Sequence, residues 1–400
     1  MPEHKMMSEF PPDENHRVTL GNWRKPPYNR WAFQHTRQLV PSTEIPNDPS
    51  NVQALDERLS DIQSLKFLDG PDREMSVAAM LEETETDGFI VLQRGKVVSE
   101  YYNNGQEQAT QHILMSVSKS VTGMLAGILV DKGLLAPDSP VTAYLPEAQD
   151  SVYGDATVRH ILDMTVGIDF EEDYLASKGP FEKYRQASLW NPQDPTEPAM
   201  DLRSFLVSLQ DRTGPHGKSF KYVSTNSDLL GWIIERAAGK RYADLLSDLI
   251  WKPMGAERDA YITNDAFGAP RSAGGICCTL RDLARFGLLI ANGGIRDGKR
   301  ILPESWIEDT RRAGVRSEWE AGVYSTSMPD WPVRYRNQWY SLGDPGFPIV
   351  AIGVFGQLLL VDPENELVMA KFSSQPDPES DAKDCMAIRA SLAIGAHLNA

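Results

Sequence analysis

The chain has 400 residues, 40 of them Lys or Arg and 56 Asp or Glu, for a formal charge of −16. With 41% apolar and 24% charged residues it has the balance of a folded globular protein, which excludes a disordered chain. The acidic excess excludes a general nucleic-acid binder, whose affinity comes from basic groups that displace counterions.

Three cysteines, Cys277, Cys278 and Cys385, two of them adjacent, cannot build a disulfide framework and fit a reducing compartment. The first residues, MPEHKMMSEFPPDEN, are polar and lack the apolar core of a secretory signal. No stretch of about 18 residues is continuously apolar, so no membrane span is expected. These features together predict a soluble, cytoplasmic protein.

Residues 1 to about 50 carry Pro11, Pro12, Pro26, Pro27, Pro41, Pro46 and Pro49, a density that excludes long helices. They read as an extended arm, which Trp23, Tyr28, Trp31 and Phe33 can pin to a body, with disorder expected over the first 15 or so residues. From Asp87, GFIVLQRGKVVSEYY reads as two strands around a turn at Arg94-Gly95. Val117, Val121, Met124, Leu125 and Ile128 then predict a helix over about 116–132, stopped by Gly133. The middle, about 135 to 270, reads as loops and helices. One helix starts at Asp201 and another runs from about Asp228 to Ala238, with the long polar loop LWNPQDPTEPAMD ahead of the first. Thr279 and Asp282 mark a helix start before Leu283, Phe286, Leu289 and Ile290. IVAIGVFGQLLLVDPENELVMAKFSS predicts two or three antiparallel strands with a turn at Pro363-Glu364-Asn365, and a helix over about 383–398 ends the chain. Strands early and late with helices between them predict one sheet closed by both ends of the chain.

The chain has no G-x-S-x-G elbow, no phosphate-binding loop and no G-x-G-x-x-G. Its seven histidines form no H-x-x-x-H or H-E-x-x-H pair, so a zinc hydrolase is unsupported. What remains is Ser116-Val117-Ser118-Lys119. On a helix, residues three apart share a face, so the Lys119 amine can reach the Ser116 hydroxyl. A serine becomes a nucleophile when a neighbour takes its proton, and a lysine in an apolar setting can do so. The bland alternative is a helix cap with a solvated lysine. A second match, Ser380-Asp381-Ala382-Lys383, precedes the last helix and reads as such a cap. Tyr222, just before a polar cluster and an apolar helix, can place its phenol at a cleft as acid or base; alone it reads as a packed tyrosine. Ala351-Ile352-Gly353-Val354 is a strand whose glycine permits close backbone approach. Its N–H groups, with that of Ser116, could form an oxyanion hole.

The order Ser116-x-x-Lys119, Tyr222, then a glycine-bearing strand near the C-terminus resembles the serine β-lactamase, penicillin-binding protein and esterase superfamily. Within it the chain is most similar to the 6-aminohexanoate-dimer (nylon oligomer) hydrolases. The matching blocks are NRWAF at 29–33, EYY at 100–102, LMSVSKS at 114–120, EDY at 172–174, Tyr222-x-Ser224-x-Asn226-x-Asp228, LRDLARFG at 280–287 and GQLLLVDP at 356–363. The resemblance implies an α/β (α+β) fold of the β-lactamase/DD-peptidase type, an antiparallel sheet flanked by helices plus an all-α subdomain. Beyond the arm, residues 51–115 and 275–400 would form the α/β subdomain and 116–274 the mainly helical one, with the active site between them. It also implies Ser116 as nucleophile, Lys119 and Tyr222 as proton-transfer groups, and the N–H groups of Ser116 and Val354 as oxyanion hole. Tyr174 matches a tyrosine that closes over substrate, and Gly353 lies on the strand that borders it. No metal or cofactor is implied.

Four departures bear on the substrate. Ser224 stands where the lactamase branches carry Asn, and Ala351-Ile352-Gly353 lacks the cation and hydroxyl that bind a substrate carboxylate there. Arg185 aligns with an acidic residue that receives the substrate's amino end in the nylon branch, and Ala273 with a polar residue. An arginine facing an ammonium is repulsive. The expected activity is therefore hydrolysis of small carboxylic esters, and of amides where the leaving group can be protonated, with weak or no action on the linear dimer. Which of Lys119 and Tyr222 is the initial base stays open at this level. The alternatives are a penicillin-interacting enzyme and a non-catalytic binding protein on the same fold. The aromatic arm also offers a contact for a homodimer.

Overall fold

Both ends of the chain build one sheet. The computed structural model describes residues 6–196, 198–343 and 348–400. Strands β1 (Ser42–Ile45), β2 (Thr86–Gln93), β3 (Lys96–Tyr102) and β4 (His112–Ile113) lead into helix α1 (Val117–Asp131). Helices α2 (Pro180–Ala187), α3 (Leu202–Ser208) and α4 (Ser224–Ala238) follow, then β5 (Ala260–Thr263), β6 (Ile276–Cys278) and α5 (Leu280–Ala291). The C-terminal third supplies β7 (Arg334–Arg336), β8 (Trp339–Ser341), β9 (Ile349–Gly353), β10 (Gln357–Asp362), β11 (Leu367–Ser373) and α6 (Asp381–Asn399).

The main sheet has the order β7-β8-β9-β10-β11-β2-β3, antiparallel throughout. The early hairpin β2–β3 therefore pairs with the last strand, as the pattern of early and late strands predicts. Its turn is set by Arg94 and Gly95, both with positive φ, the geometry of a tight two-residue hairpin loop. Side chains alternate across β2. Ile90 and Leu92 join the core shared with α1 and α5, while Phe89 and Val91 join the core shared with α6. Burial on both faces explains why the strand reads as a continuous apolar run.

Helix α1 is buried from Val117 to Leu129, a core helix rather than a surface one. Its glycines admit close neighbours. A Cβ at Gly123 would lie 2.1 Å from the Asn337 carbonyl oxygen, and one at Gly127 would meet the Trp306 ring at 2.3 Å. A second, four-stranded sheet of order β1-β5-β6-β4 links the arm to the strand that precedes α1.

Two expectations change. Disorder over the first 15 or so residues falls partly on residues 1–5, which lie outside the described residues. Met6 is buried, Ser8 to Asn15 are mostly exposed with Phe10 wholly so, and from Val18 onward the arm is packed. Met6, Val18, Trp23 and Phe33 are buried against Ile113, Met115, Trp190 and Phe355. The Trp23 indole N–H donates to the Trp190 carbonyl at 2.8 Å, and Asn29 Nδ2 donates to the Gln375 carbonyl at 2.8 Å. The helix expected from Asp228 instead begins at Ser224. Its first turn is polar because Ser224 and Asp228 face the site described next, while Thr225 and Ser227 bond to Tyr153 and Gln338.

Candidate active site

Ser116 stands at the junction of β4 and α1. The chain enters the helix through Met115, whose φ of 47° lies in the left-handed region, a costly conformation for a buried side chain of this size. Ser116 itself is helical, φ −68° and ψ −9°, and its hydroxyl caps nothing. It meets the Lys119 amine instead, with Nζ 2.9 Å from Oγ.

Lys119 is 1% exposed. Its Nζ also lies 2.7 Å from the Ala273 carbonyl oxygen and 3.1 Å from Ser224 Oγ. Burial pushes its pKa down to about 7; the negative charge of Glu172 resists that fall and the cation of Arg271 adds to it. The directions of these bonds are constrained by chemistry. A carbonyl only accepts. The Ser224 hydroxyl donates to Glu172 Oε2 at 3.0 Å, so it accepts from the amine. A neutral amine has two N–H groups and one lone pair. Ala273 and Ser224 use the two N–H groups, which leaves the lone pair for the Ser116 O–H.

Tyr222 closes the group, its ring centroid 5.0 Å from Lys119 Nζ. Burial raises its pKa well above the ordinary tyrosine value, opposed by a hydrogen bond with the Ser116 side chain. The phenol therefore keeps its proton at neutral pH. Glu172 organises this side of the site. Its carboxylate accepts from the Ser224 N–H at the open start of α4, from the Ser224 hydroxyl, and from the Tyr174 phenol at 3.1 Å.

Asp228, one turn further along α4, accepts the Ala273 N–H at 2.7 Å and pairs with Arg271 in a buried ion pair that Tyr184 completes. Burial alone would lower the Arg271 pKa, but Asp228 overcomes it and holds the guanidinium charged. Asp228 thus sets the position of Ala273, and Ala273 sets that of Lys119.

Strand β9 runs beside the start of α1. A Cβ on Gly353 would lie 3.0 Å from the Ser116 nitrogen and 2.8 Å from the Leu114 carbonyl oxygen, so only glycine allows this approach. Among the described residues neither Ser116 N–H nor Val354 N–H makes a turn or cap hydrogen bond. Ser116 and Val354 line the same two cavities. One, about 90 Å³, is aromatic and acidic, with Tyr174, Tyr222, Tyr340 and Asp384 in its wall. The other, about 20 Å³, is bounded by Arg24, Arg185, Trp190 and Ala273. A larger groove of about 840 Å³, between the arm and residues 78–105, includes neither Ser116 nor Lys119.

The structure thus gathers Ser116, Lys119, Tyr222, Tyr174, Val354 and Gly353. Ala273 belongs to the group through its carbonyl rather than its side chain. Arg185 lines the cleft, but its terminal nitrogens are engaged, by the Tyr174 carbonyl at 3.0 Å, the Ala176 carbonyl and Glu182 at 2.8 Å, while its Nε is buried without a partner. Sequence reasoning did not single out Glu172, nor Ser224 as a partner of Lys119, nor Arg24. Glu172 stood in the EDY block, two residues before Tyr174, and that proximity was the one available signal.

A serine hydroxyl against a buried amine, beside a protonated phenol and two backbone N–H groups that among the described residues make no turn or cap bond, is the arrangement that acyl transfer calls for. Comparison with known proteins agrees with this class. Residues 77–393 match the family model described as Beta-lactamase. The chain is 36% identical over 370 residues to a 6-aminohexanoate-dimer hydrolase of Paenarthrobacter ureafaciens, covering 90% of this chain and 89% of that one. A solved structure of a candidate 6-aminohexanoate-dimer hydrolase from Bacillus anthracis superposes with TM-score 0.87 at 27% identity, over 97% of this chain and 98% of that one. A family VIII carboxylesterase shares the fold at TM-score 0.57 and 17% identity, over 79% of this chain and 94% of that one. The chain belongs to the beta-lactamase family of serine hydrolases, and its fold is that of the β-lactamases and penicillin-binding proteins. Among the described residues no helix is long and apolar enough to cross a membrane.

Proposed function

We propose that this hydrolase cleaves small carboxylic esters and amides through an acyl-enzyme on Ser116. The observation that carries the reading is the arrangement around Lys119, whose Nζ lies 2.7 Å from the Ala273 carbonyl oxygen, 3.1 Å from Ser224 Oγ and 2.9 Å from Ser116 Oγ; in the neutral amine the first two take the N–H groups and the lone pair is left for the Ser116 hydroxyl. Lys119 is then the initial base and Tyr222 the acid. Ser116 Oγ attacks the substrate carbonyl carbon as its proton passes to Lys119 Nζ. The oxyanion forms between the N–H groups of Ser116 and Val354, donors fixed before the reaction begins. As the bond to the leaving oxygen or nitrogen breaks, the Tyr222 phenol gives that atom its proton, and the Lys119 ammonium returns one to the phenolate. Water then attacks the acyl carbon with Lys119 as base, and Ser116 leaves with the proton.

Tyr174 lines both cavities beside Ser116 and belongs to the substrate's wall. The site sits where a mainly helical part, residues 116–274, meets an α/β part formed by 51–115 and 275–400. The three free, buried thiols support a reducing, cytoplasmic location. Amide cleavage is supported by the relative's name and by the protonated phenol, which a poor leaving group needs.

The test compares wild type with Ser116→Ala on a short p-nitrophenyl ester and on 6-aminohexanoate dimer. The wild type is expected to turn over the ester, to act weakly or not at all on the dimer, and to be indifferent to a metal chelator. Equal rates in the two proteins would remove Ser116 from the mechanism. Efficient cleavage of the dimer would show that Arg185, neutralised by Glu182, does not repel an ammonium.

A further inference from the structure

Three guanidinium groups surround the cavity on the arm side of Ser116: Arg24, Arg185 and Arg271. Two of them are neutralised. Arg271 is held by Asp228, and Arg185 by Glu182. Arg24 differs. Among the described residues it has no carboxylate partner, and its one hydrogen bond goes from NH2 to the Asn191 side-chain carbonyl; its Nε is buried without a partner, as are those of Arg185 and Arg271. Burial and the charge of Arg185, opposed by Glu182, together pull its pKa down to about 9. The arm fixes the group in place. Trp23, the preceding residue, is buried and bonded to Trp190, and the guanidinium carbon stands 5.5 Å and 5.9 Å from those two rings. Arg24 as a whole is half-buried, but its Nε–H is shut off from solvent, and a donor in that position is costly unless an acceptor meets it.

Arg24 also lines a second cavity of about 240 Å³ that runs past Tyr174, Leu175 and Phe355. It therefore stands at the passage between the nucleophile and a space large enough for a short chain. The two sides of Ser116 are unlike in another respect. Tyr222, the proposed donor to the leaving group, lines the aromatic, acidic cavity but not the guanidinium side. The leaving group thus departs on the Tyr222 side, and the acyl chain points toward the arm.

We propose that Arg24 is the anchor for a carboxylate at the far end of the substrate's acyl chain, so that the preferred substrates are monoesters or monoamides of short dicarboxylic acids. The fork geometry of a guanidinium suits a carboxylate, which can fill the vacant Nε–H and replace the bond to Asn191. This inference rests on the reading of Ser116 as nucleophile and specifies what that site takes.

The experiment measures kcat/KM for mono-p-nitrophenyl adipate and for p-nitrophenyl hexanoate, which share leaving group and chain length and differ in the terminal charge. Wild type is expected to favour the adipate ester by roughly tenfold or more, the scale of one charge-assisted hydrogen bond. Arg24→Gln should bring the ratio close to one, and Arg24→Lys should leave an intermediate ratio. A wild-type ratio near or below one overturns the proposal, and so does a preference that survives in Arg24→Gln. Titration calorimetry of Ser116→Ala with adipate and with hexane-1,6-diol gives a readout free of chemistry and of Arg24 variants that fail to fold. Adipate should bind and the diol should bind at least about tenfold more weakly; equal binding overturns the proposal. If Ser116→Ala hydrolyses both esters as wild type does, the nucleophile assignment fails while the binding comparison still judges Arg24.

Discussion

Two stretches of the chain share the spacing Ser-x-x-Lys, and both sit at the first turn of a helix. At Ser380 the backbone is extended, φ −156° and ψ 92°, and the hydroxyl accepts the Lys383 N–H at 3.4 Å. That is an ordinary N-cap, and the Lys383 side chain stays half-exposed. At Ser116 the left-handed turn of Met115 delivers the serine already in helical geometry, from which its hydroxyl cannot cap and meets the buried Lys119 amine instead. Spacing brings the two side chains onto one face in both places. The conformation of the preceding residue and the burial of the lysine decide whether the pair is a cap or a reactive group.

The largest contrast between the two is expected in covalent labelling. A p-nitrophenyl alkylphosphonate should modify Ser116 stoichiometrically and Ser380 not at all, read by peptide mass mapping. Label on Ser380, or none on Ser116, would dissolve the distinction. Truncating the base gives the next largest effect. Lys119→Gln should lower kcat roughly 10²- to 10⁴-fold, the range for general base catalysis, whereas Lys383→Gln should stay within about twofold.

The pH profile follows from the same contrast. Lys119 must be neutral to accept a proton, and burial holds its pKa at about 7. The rate should rise with pH, reach half its plateau near pH 7 and fall about tenfold for each pH unit below that. Glu172→Gln sharpens the assignment. Its negative charge raises the Lys119 pKa, so its removal should move the limb to lower pH, while the plateau falls because the amide keeps one accepting oxygen for bonds that Glu172 makes with two. A limb that moves upward, or stays, would show that another group titrates.

Much of this architecture is legible in local patterns. The 116–132 helix, the hairpin at Arg94-Gly95 and the turn at 363–365 each follow from periodicity or turn chemistry within a dozen residues. Ser116 and Lys119 follow from helical spacing. The rest is carried by contacts with no local period. Lys119 meets Ala273 across 154 residues, Ser224 meets Glu172 across 52, and Trp23 meets Trp190 across 167. Ser224 shows the difficulty well. As a small polar residue before an apolar helix it reads as a cap, yet its hydroxyl relays between Lys119 and Glu172, and the helix start it might have capped is served by Glu172 instead. Arg24 lies in a proline-rich arm whose sequence gives no sign that it reaches the catalytic cleft.

The smallest expected effect tests the other member of the pair. If the Ser380 hydroxyl only caps, Ser380→Ala removes one acceptor from the first turn of α6 and nothing more, a cost of about 1 kcal/mol in unfolding free energy by urea titration. Turnover of the p-nitrophenyl ester should stay within about twofold. The two readouts pull apart because α6 packs on the face of the sheet away from α1, through Met386, Ile388 and Ile394, so a weakened first turn leaves the Ser116–Lys119 contact in place. A large loss of activity with little loss of stability would mean that the start of α6, where Glu379 just before it and Asp381 and Asp384 in its first turn border the aromatic cavity, is coupled to substrate binding. In that case the division between a structural and a reactive Ser-x-x-Lys would be one of degree.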